Sequence, residues 1–355
     1  MAVLKIIDKE DFIMKKIRLG RTGLMVSASS FGALPIQRLS CEEAGRLLRK
    51  AYDNGINYFD TANAYSDSEE KIGAALCDVR KDIILSTKSG ASDKKTLLSH
   101  IELSLKRMKT DYIDILQLHN PSILPDPEDP QSTYAGLLEA QKKGWIRFIG
   151  ITNHSAQRAR DAVLSDKYDT LQYPFCSLSS EEDIEIAKLT CEKDMGFIAM
   201  KGLAGGLITN AATTFSFIKQ YPFAVPIWGI QREKELDQFL EMEENPPVYG
   251  DEMKRLIQKD REELLGNFCH GCGYCLPCPA KIDIPQAARM SLLLRRAPYQ
   301  QFLTEDNYKE MLKIENCVHC NSCKSRCPYG LDTPQLLKEN LNDYLVFRRE
   351  HSSQL

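Results

Sequence analysis

Between Ser29 and Ile230 the chain alternates eight times between a short apolar run and an amphipathic stretch. The apolar runs occupy residues 29–33, 57–61, 82–88, 114–119, 148–152, 170–174, 196–201 and 226–230. They are short and continuously apolar, the pattern of strands buried on both faces. The stretches between them repeat at helical spacing. Ser40 with Glu43 forms a capping-box pattern ahead of Ala44, Leu47, Leu48 and Ala51. Ser66 with Glu69, and Ser179 with Glu182, repeat that start signal. Between residues 94 and 109, Leu97, Leu98, Ile101, Leu105 and Met108 share one face. Eight such units within roughly 220 residues predict an α/β chain folded as a (β/α)₈ TIM barrel. A doubly wound open sheet is the alternative. It is disfavoured because no G-x-G-x-x-G follows the first strand. Ahead of the barrel, residues 15–32 read KKIRLGRTGLMVSASSFG. Breaks at Gly20 and at Thr22 and Gly23 predict a hairpin leading into a strand.

The alternation stops near Glu241, and Asn245, Pro246 and Pro247 mark a boundary. The expected organisation is an N-terminal extension at 1–14, the barrel at 15–244 and a small, mainly helical unit at 245–355. The clearest helices of that unit are expected at 284–294 and 336–345. Charge limits the partners: 46 Lys and Arg against 49 Asp and Glu give a net charge of −3. That balance makes no electrostatic case for nucleic acid or an acidic membrane surface. No apolar run reaches the length of a membrane span. Residues 1–12 mix Lys and Asp without the apolar core of a secretory leader. A cytoplasmic protein is therefore expected.

Eight of the 12 cysteines fall between Cys269 and Cys327. A disulfide framework suits a small secreted domain rather than this chain. The first run, Cys269 to Pro279, reads CHGCGYCLPCP, and the second, Cys317 to Pro328, reads CVHCNSCKSRCP. The second follows the bacterial ferredoxin spacing C-x₂-C-x₂-C-x₃-C-P, and the first brings its fourth cysteine one residue closer. Three thiolates at this spacing can each reach a different iron. The fourth ligand in two-cluster ferredoxins comes from the other run. This spacing predicts Cys269, Cys272, Cys275 and Cys327 on one [4Fe–4S] cluster, with Cys317, Cys320, Cys323 and Cys278 on a second. Structural zinc is the alternative, since paired C-x₂-C units bind it well, but it leaves the Cys-Pro endings unexplained. Cys41, Cys77, Cys176 and Cys191 are scattered and are expected to be buried as small hydrophobes.

In a barrel of this kind, chemistry gathers where the strands end at the carboxyl-terminal face. Asp60 closes one apolar run, Lys88 another and His119 a third, while Tyr65 follows on the loop after the first of these. A phenol has an ordinary pKa of about 10, too high for an efficient acid at neutral pH. A neighbouring ammonium favours the phenolate, and a carboxylate paired with the ammonium holds it there. Such a tyrosine would protonate a carbonyl oxygen while hydride reaches the carbon, with His119 orienting the carbonyl or moving the proton. Taken singly, each residue also has a structural reading: helix cap, loop residue, solvated amine, core histidine. The order and spacing of all four favour chemistry.

Those residues sit in segments that resemble a known family. LGRTGLMVSASSFG, YFDTANAY with SEEKIGAAL, LSTK, LQLHNP, GITNHS, LQYPF and MKGLAGG resemble the aldo-keto reductases from Lys15 to about Leu240. The resemblance implies a (β/α)₈ barrel that reduces carbonyls with a nicotinamide cofactor, NADP or NAD. Its Asp, Tyr, Lys and His tetrad maps onto Asp60, Tyr65, Lys88 and His119. Thr152, Asn153 and Gln172 match contacts to the nicotinamide carboxamide. The 201–207 loop, with Lys201, Leu203, Gly205 and Gly206, matches the segment that holds the pyrophosphate, where glycines let backbone amides approach phosphate oxygens. Gly32, Gln231 and Arg232 complete the expected cofactor contacts. Two positions depart from the family: Met200 stands where an aromatic ring often underlies the nicotinamide, and Glu235 where NADPH-dependent members often carry a basic residue. The two cysteine runs also resemble the ferredoxin-like extension of a subgroup of bacterial and archaeal aldo-keto reductases, shortened first run included.

Three functions follow as expectations. The first is a carbonyl-reducing or alcohol-oxidising enzyme on a small molecule, whose clusters exchange electrons with a ferredoxin-type partner. The second is a nicotinamide-binding redox sensor or scaffold with structural clusters. The third is an enzyme whose extension only stabilises the fold.

Overall fold

A computed structural model describes residues 13–264, 268–296 and 299–351 of the chain. The extension expected at 1–14 therefore lies, up to Phe12, outside the described residues. The described residues form two compact units. One runs up to Gly202 and takes in Phe215–Tyr249. The other joins Leu203–Thr214 to the residues from Gly250 onward.

The first unit opens with a hairpin of β1 (Lys16–Arg18) and β2 (Met25–Ser27), antiparallel with Ile17 opposite Val26. Its turn sends Leu19, fully buried, against the barrel residues Tyr58, Ile84, Ile115 and Ile198. Gly20 sits at the contact with a φ of +49°, and a Cβ there would come 2.2 Å from the backbone nitrogen of Gly196. Gly196 begins a barrel strand, so the hairpin plugs the amino-terminal end.

Eight parallel strands close the barrel: β3 (Ser30–Gly32), β4 (Tyr58–Asp60), β5 (Ile84–Ser89), β6 (Ile113–His119), β7 (Ile146–Thr152), β8 (Thr170–Pro174), β9 (Gly196–Met200) and β10 (Ala224–Gly229). All eight predicted strands are present. Pairing of β10 with β3, Gly229 against Gly32, closes the ring and excludes the open sheet. Its helices are α1 (Cys41–Asp53), α2 (Ser68–Leu76), α3 (Lys94–Met108), α4 (Thr133–Lys142), α5 (Ala156–Leu164), α6 (Glu181–Glu192), α7 (Ala211–Ile218), which crosses into the second unit, and α8 (Glu233–Glu244).

The α1 capping box forms as predicted, and Ala44, Leu47, Leu48 and Ala51 are buried. The other two start signals are shifted. Helix α2 begins at Ser68, and Ser66 instead donates to Gln37 and Asp67. Glu69 turns inward, where it accepts from Thr87 at 2.7 Å and from Arg107 at 3.3 Å. A buried carboxylate with two donors outweighs an exposed cap. The α6 box is Ser180 with Asp183, one residue later, because Ser179 accepts from the Cys176 amide. On α3, Leu98 and Leu105 are only half-buried, and Ser104 takes the inner position to accept from Asn63. Cys41, Cys77 and Cys191 are exposed and Cys176 half-buried, contrary to expectation. Cys41 opens α1, Cys77 closes α2 and Cys191 lies near the end of α6, places that face little core.

The second unit contains α9 (Asp251–Glu263), α10 (Ile284–Ala287), α11 (Met290–Arg296), α12 (Glu305–Leu312), α13 (Ser322–Ser325) and α14 (Thr333–Glu350), and no strand among its described residues. The single helix predicted at 284–294 is broken at Ala288 and Arg289, where the Arg289 amide bonds back to Gln286. Ile284, Met290, Leu294, Met311, Leu337, Leu341 and Tyr344 form this unit's own core. Helix α11 is fastened to α14 by Arg295 on Asp343 at 2.6 Å and by the Ser291 amide on Asn340 at 2.8 Å. No helix among the described residues is long and apolar enough to cross a membrane.

Candidate active site

Parallel register sets the polar residues at the open end of the barrel. Asp60 pairs with Ser86, Lys88 with Gln117, His119 with Thr152 and Thr152 with Gln172. Lys88 is 1% exposed and Asp60 2%. The Lys88 ammonium donates to Asp60 Oδ2 at 2.5 Å and to the Thr61 carbonyl at 2.6 Å. The second Asp60 oxygen accepts from Ser86 at 2.6 Å and from Gln117 at 3.1 Å. Burial pulls the Lys88 pKa below the ordinary value and the Asp60 carboxylate opposes that pull. An ion pair this buried is tolerated because both members are also hydrogen-bonded.

Tyr65 lies on the loop after β4. Its amide bonds to the Ala62 carbonyl, and its own carbonyl accepts from Ser68 at the start of α2. From α2, the buried Lys71 braces this loop, donating to the carbonyls of Ile36 and Leu39 at 3.1 and 2.8 Å and to Asp67 at 2.8 Å. The Lys88 nitrogen is 5.3 Å from the centre of the Tyr65 ring. The Tyr65 and His119 rings meet edge to face with centres 5.8 Å apart. Burial, with the charges of Lys88 and Lys201, lowers the His119 pKa to about 3. His119 is therefore a neutral imidazole at physiological pH. Asp60, Tyr65, Lys88 and His119 thus stand together.

The other residues expected to contact the cofactor lie as follows. Gly32 pairs with Asp60, and a Cβ there would come 3.1 Å from the Trp228 carbonyl oxygen. Thr152 Oγ1 and Gln172 Nε2 both point at the Met200 sulfur, 3.8 and 3.6 Å away. Asn153 is fully buried and donates to the Pro121 carbonyl at 3.1 Å. Gln231 accepts from Arg38 at 3.1 Å. The exposed Arg232 guanidinium donates to Glu235 at 2.8 and 2.6 Å. Lys201 is half-buried with a φ of +61°. Leu203, Gly205 and Gly206 belong to the second unit.

Gln117 was not anticipated. It joins Asp60 to Gln172, donating to the latter's Oε1 at 2.8 Å. The signal was its place two residues before His119 in β6, which puts both side chains on one face of the strand.

In the second unit the cysteines line two separate cavities. One is lined by Cys269, Cys272, Cys275 and Cys327. The other is lined by Cys278, Cys317, Cys320 and Cys323, and Cys275 borders it too. The expected exchange of fourth ligands would set each of these groups of four thiolates around one cluster. Among the described residues, no three His, Cys, Asp or Glu side chains are grouped to share one metal ion. The Gly271 amide donates to the Cys269 sulfur at 3.4 Å. Burial pushes the Cys275 thiol up to about 12 and Cys269 upward as well, a cost that bound cationic iron reverses. The donor set fits iron–sulfur clusters.

Comparison with known proteins agrees with this picture. Residues 28–218, more than half of the chain, match the model of the aldo/keto reductase family. The chain belongs to the aldo/keto reductase family. Residues 268–332 match a 4Fe-4S dicluster domain, so this aldo/keto reductase carries an iron–sulfur module after its barrel. A probable voltage-gated potassium channel subunit beta of Arabidopsis thaliana is 31% identical over 221 residues, covering 56% of this chain and 66% of that one. The L-galactose dehydrogenase of the same plant is 30% identical over 211 residues, covering 54% and 66%. The chain thus spans just under two thirds of the length of these relatives. An aldo-keto reductase of Bacillus halodurans in its holo form has the same fold, with a TM-score of 0.62 at 23% identity, over 70% of this chain and 96% of that one. An aldo-keto reductase of Klebsiella pneumoniae, solved with NADPH, gives a TM-score of 0.60 at 20% identity, over 70% and 95%.

Proposed function

We propose that the barrel reduces the carbonyl of a small-molecule aldehyde or ketone, or oxidises the matching alcohol, with a nicotinamide nucleotide. The observation that carries this reading is the buried Lys88 ammonium, 2.5 Å from Asp60 and 5.3 Å from the centre of the Tyr65 ring. A charge so placed favours the phenolate and eases proton donation from Tyr65 Oη to a carbonyl oxygen. Asp60, with Ser86 and Gln117 behind it, keeps the ammonium in position. His119, neutral at physiological pH, orients the carbonyl by hydrogen bonding. Thr152, Asn153 and Gln172 serve the nicotinamide carboxamide. Gly32, Lys201, Leu203, Gly205 and Gly206 serve the nucleotide's phosphate side. Gln231 and Arg232 serve its adenosine end. When bound, the nicotinamide supplies or receives the hydride.

In the second unit, Cys269, Cys272, Cys275 and Cys327 would hold one [4Fe–4S] cluster, and Cys278, Cys317, Cys320 and Cys323 a second. Bound clusters supply one-electron chemistry. We read them as exchanging electrons with a ferredoxin-type partner.

Carbonyl reduction is tested with a panel of aromatic and aliphatic aldehydes and both NADH and NADPH. Tyr65→Phe is expected to lower kcat by about 10²- to 10⁴-fold while the nucleotide Kd stays put. Undiminished turnover in that variant sinks the proton-donor assignment. The second reading is a nicotinamide-binding redox sensor or scaffold with structural clusters; a relative described as a probable channel subunit is consistent with a scaffold role. Tight nucleotide binding with negligible turnover on every carbonyl would select it.

A further inference from the structure

The segment after β9 is bent in an uncommon way. Lys201, Ala204, Gly205 and Gly206 have φ values of +61°, +47°, +69° and +94°. Ala204 gains nothing from such a backbone, so the bend has to be held by its surroundings. Two arginines of the same unit do so. Arg289 donates to the Gly205 carbonyl at 2.6 Å, and Arg296 to the Leu207 carbonyl at 2.7 Å. Arg296 is itself fixed by Asp260 and Glu263.

Arg289 has a second neighbour. It occupies the break between α10 and α11, and its Nε is anchored on the Pro285 carbonyl at 2.8 Å. Its guanidinium lies flat against Gly271: a Cβ at 271 would meet the guanidinium carbon at 2.9 Å and both terminal nitrogens at 3.1 Å. A Cβ at Gly205 would come 2.9 Å from Arg289 Nη1 and 3.3 Å from the His270 carbonyl oxygen. His270 and Gly271 stand between Cys269 and Cys272. One cation therefore fills the space between the first cysteine run and the bent segment, and both sides are glycine where it passes.

We propose that Arg289 is a positioning residue for the nicotinamide nucleotide, tying the 203–207 segment to the first cysteine run so that iron loading of that run tightens nucleotide binding. The proposal rests on the reading of 203–207 as a phosphate-holding segment. Its physical basis is that thiolates carrying a bound cluster fix the 269–275 loop and present negative charge beside the guanidinium. The guanidinium in turn fixes the Gly205 carbonyl and the strained turn that carries it. Nothing in this link touches the reacting atoms.

The test is the Kd for NADPH and for NADH, measured by fluorescence titration on the full chain under anaerobic conditions, with iron content recorded for each sample. Loaded wild type is expected to bind about tenfold more tightly than both iron-stripped wild type and loaded Arg289→Gln, the factor for losing one charge-assisted hydrogen bond. Arg289→Lys restores much of the loss, because it keeps the charge and one donor. Arg295→Gln, on the adjoining helix α11 but paired with Asp343, binds as wild type does. Binding by loaded Arg289→Gln within twofold of wild type overturns the proposal alone, as does equal binding by stripped and loaded wild type. If loaded wild type binds neither nucleotide, the phosphate-holding reading falls with it.

Discussion

The barrel and the cysteine unit secure their functional groups by opposite means. In the barrel, Asp60, Lys88, Gln117 and Gln172 sit on β4, β5, β6 and β8, whose register fixes them, and they are linked by an ion pair and side-chain hydrogen bonds. In the cysteine unit, the sulfurs of the first run hang on the 269–280 loop, which has no helix or strand. Those of the second run lie on or beside α13, a helix of four residues. Gly271, Gly273, His319 and Asn321 all take positive φ values to bring these loops around. Short turns aim a sulfur but do not hold it, so iron would complete this unit as a folding ligand. One region is preorganised by backbone ladders, and the other would be completed by bound metal.

The largest test of that contrast is Lys88→Met. It leaves the Asp60 carboxylate buried with no countercharge and should cost the barrel about 3–5 kcal/mol in denaturant unfolding. Lys88→Met combined with Asp60→Asn should recover much of that loss, since the orphaned charge is gone. A barrel indifferent to Lys88→Met would mean that the ion pair is not what holds the site. Removing iron should instead leave the barrel transition in place and loosen only the cysteine unit.

The next test asks whether the metal unit is knitted across its two runs. If Cys278 serves the second cluster, Cys269→Ser with Cys278→Ser damages both clusters, and iron per chain falls nearly to nothing. Cys269→Ser with Cys327→Ser damages one cluster only and keeps about half the iron. The opposite ranking would place all four ligands of each cluster within one run and remove the long-range staple from the unit.

The same contrast explains what could be read in the sequence. Register in a parallel barrel follows from the strand runs, so Asp60, Lys88 and His119 could be placed at one end of the barrel from residue order, while Tyr65, on a loop, needed the family resemblance as well. Cysteine spacing likewise pointed to the cavity partners, because short loops leave few alternatives. What escaped was decided by competition between tertiary contacts. Glu69 reads as half of a capping box, yet Thr87 and Arg107 claim its carboxylate. Ser104 replaces a leucine on the inner face of α3 because Asn63 needs a partner there. Gln117 looks like one polar residue in an apolar strand until β4 and β8, each one strand removed from β6, supply Asp60 and Gln172. The continuous apolar pattern at 284–294 hides the break at Arg289, whose side chain has business with two distant glycines.

The smallest effect concerns nucleotide choice at the rim of the barrel. Arg232 would suit a 2′-phosphate, but Glu235 takes its guanidinium through two hydrogen bonds and also accepts from the backbone amides of Gln231 and Arg232. Glu235→Gln keeps a carbonyl oxygen for those amides, so the start of α8 should survive. It removes the negative charge, which both frees the guanidinium and lifts a repulsion against phosphate. The Arg232 side chain is 72% exposed, so solvent screens most of the gain. The ratio of NADPH to NADH affinity should rise by about threefold at low salt and shrink as salt is added. An unchanged ratio would make Arg232 a helix-start residue and nothing more. In that case the barrel's preorganised rim would have no part in choosing between the two nucleotides.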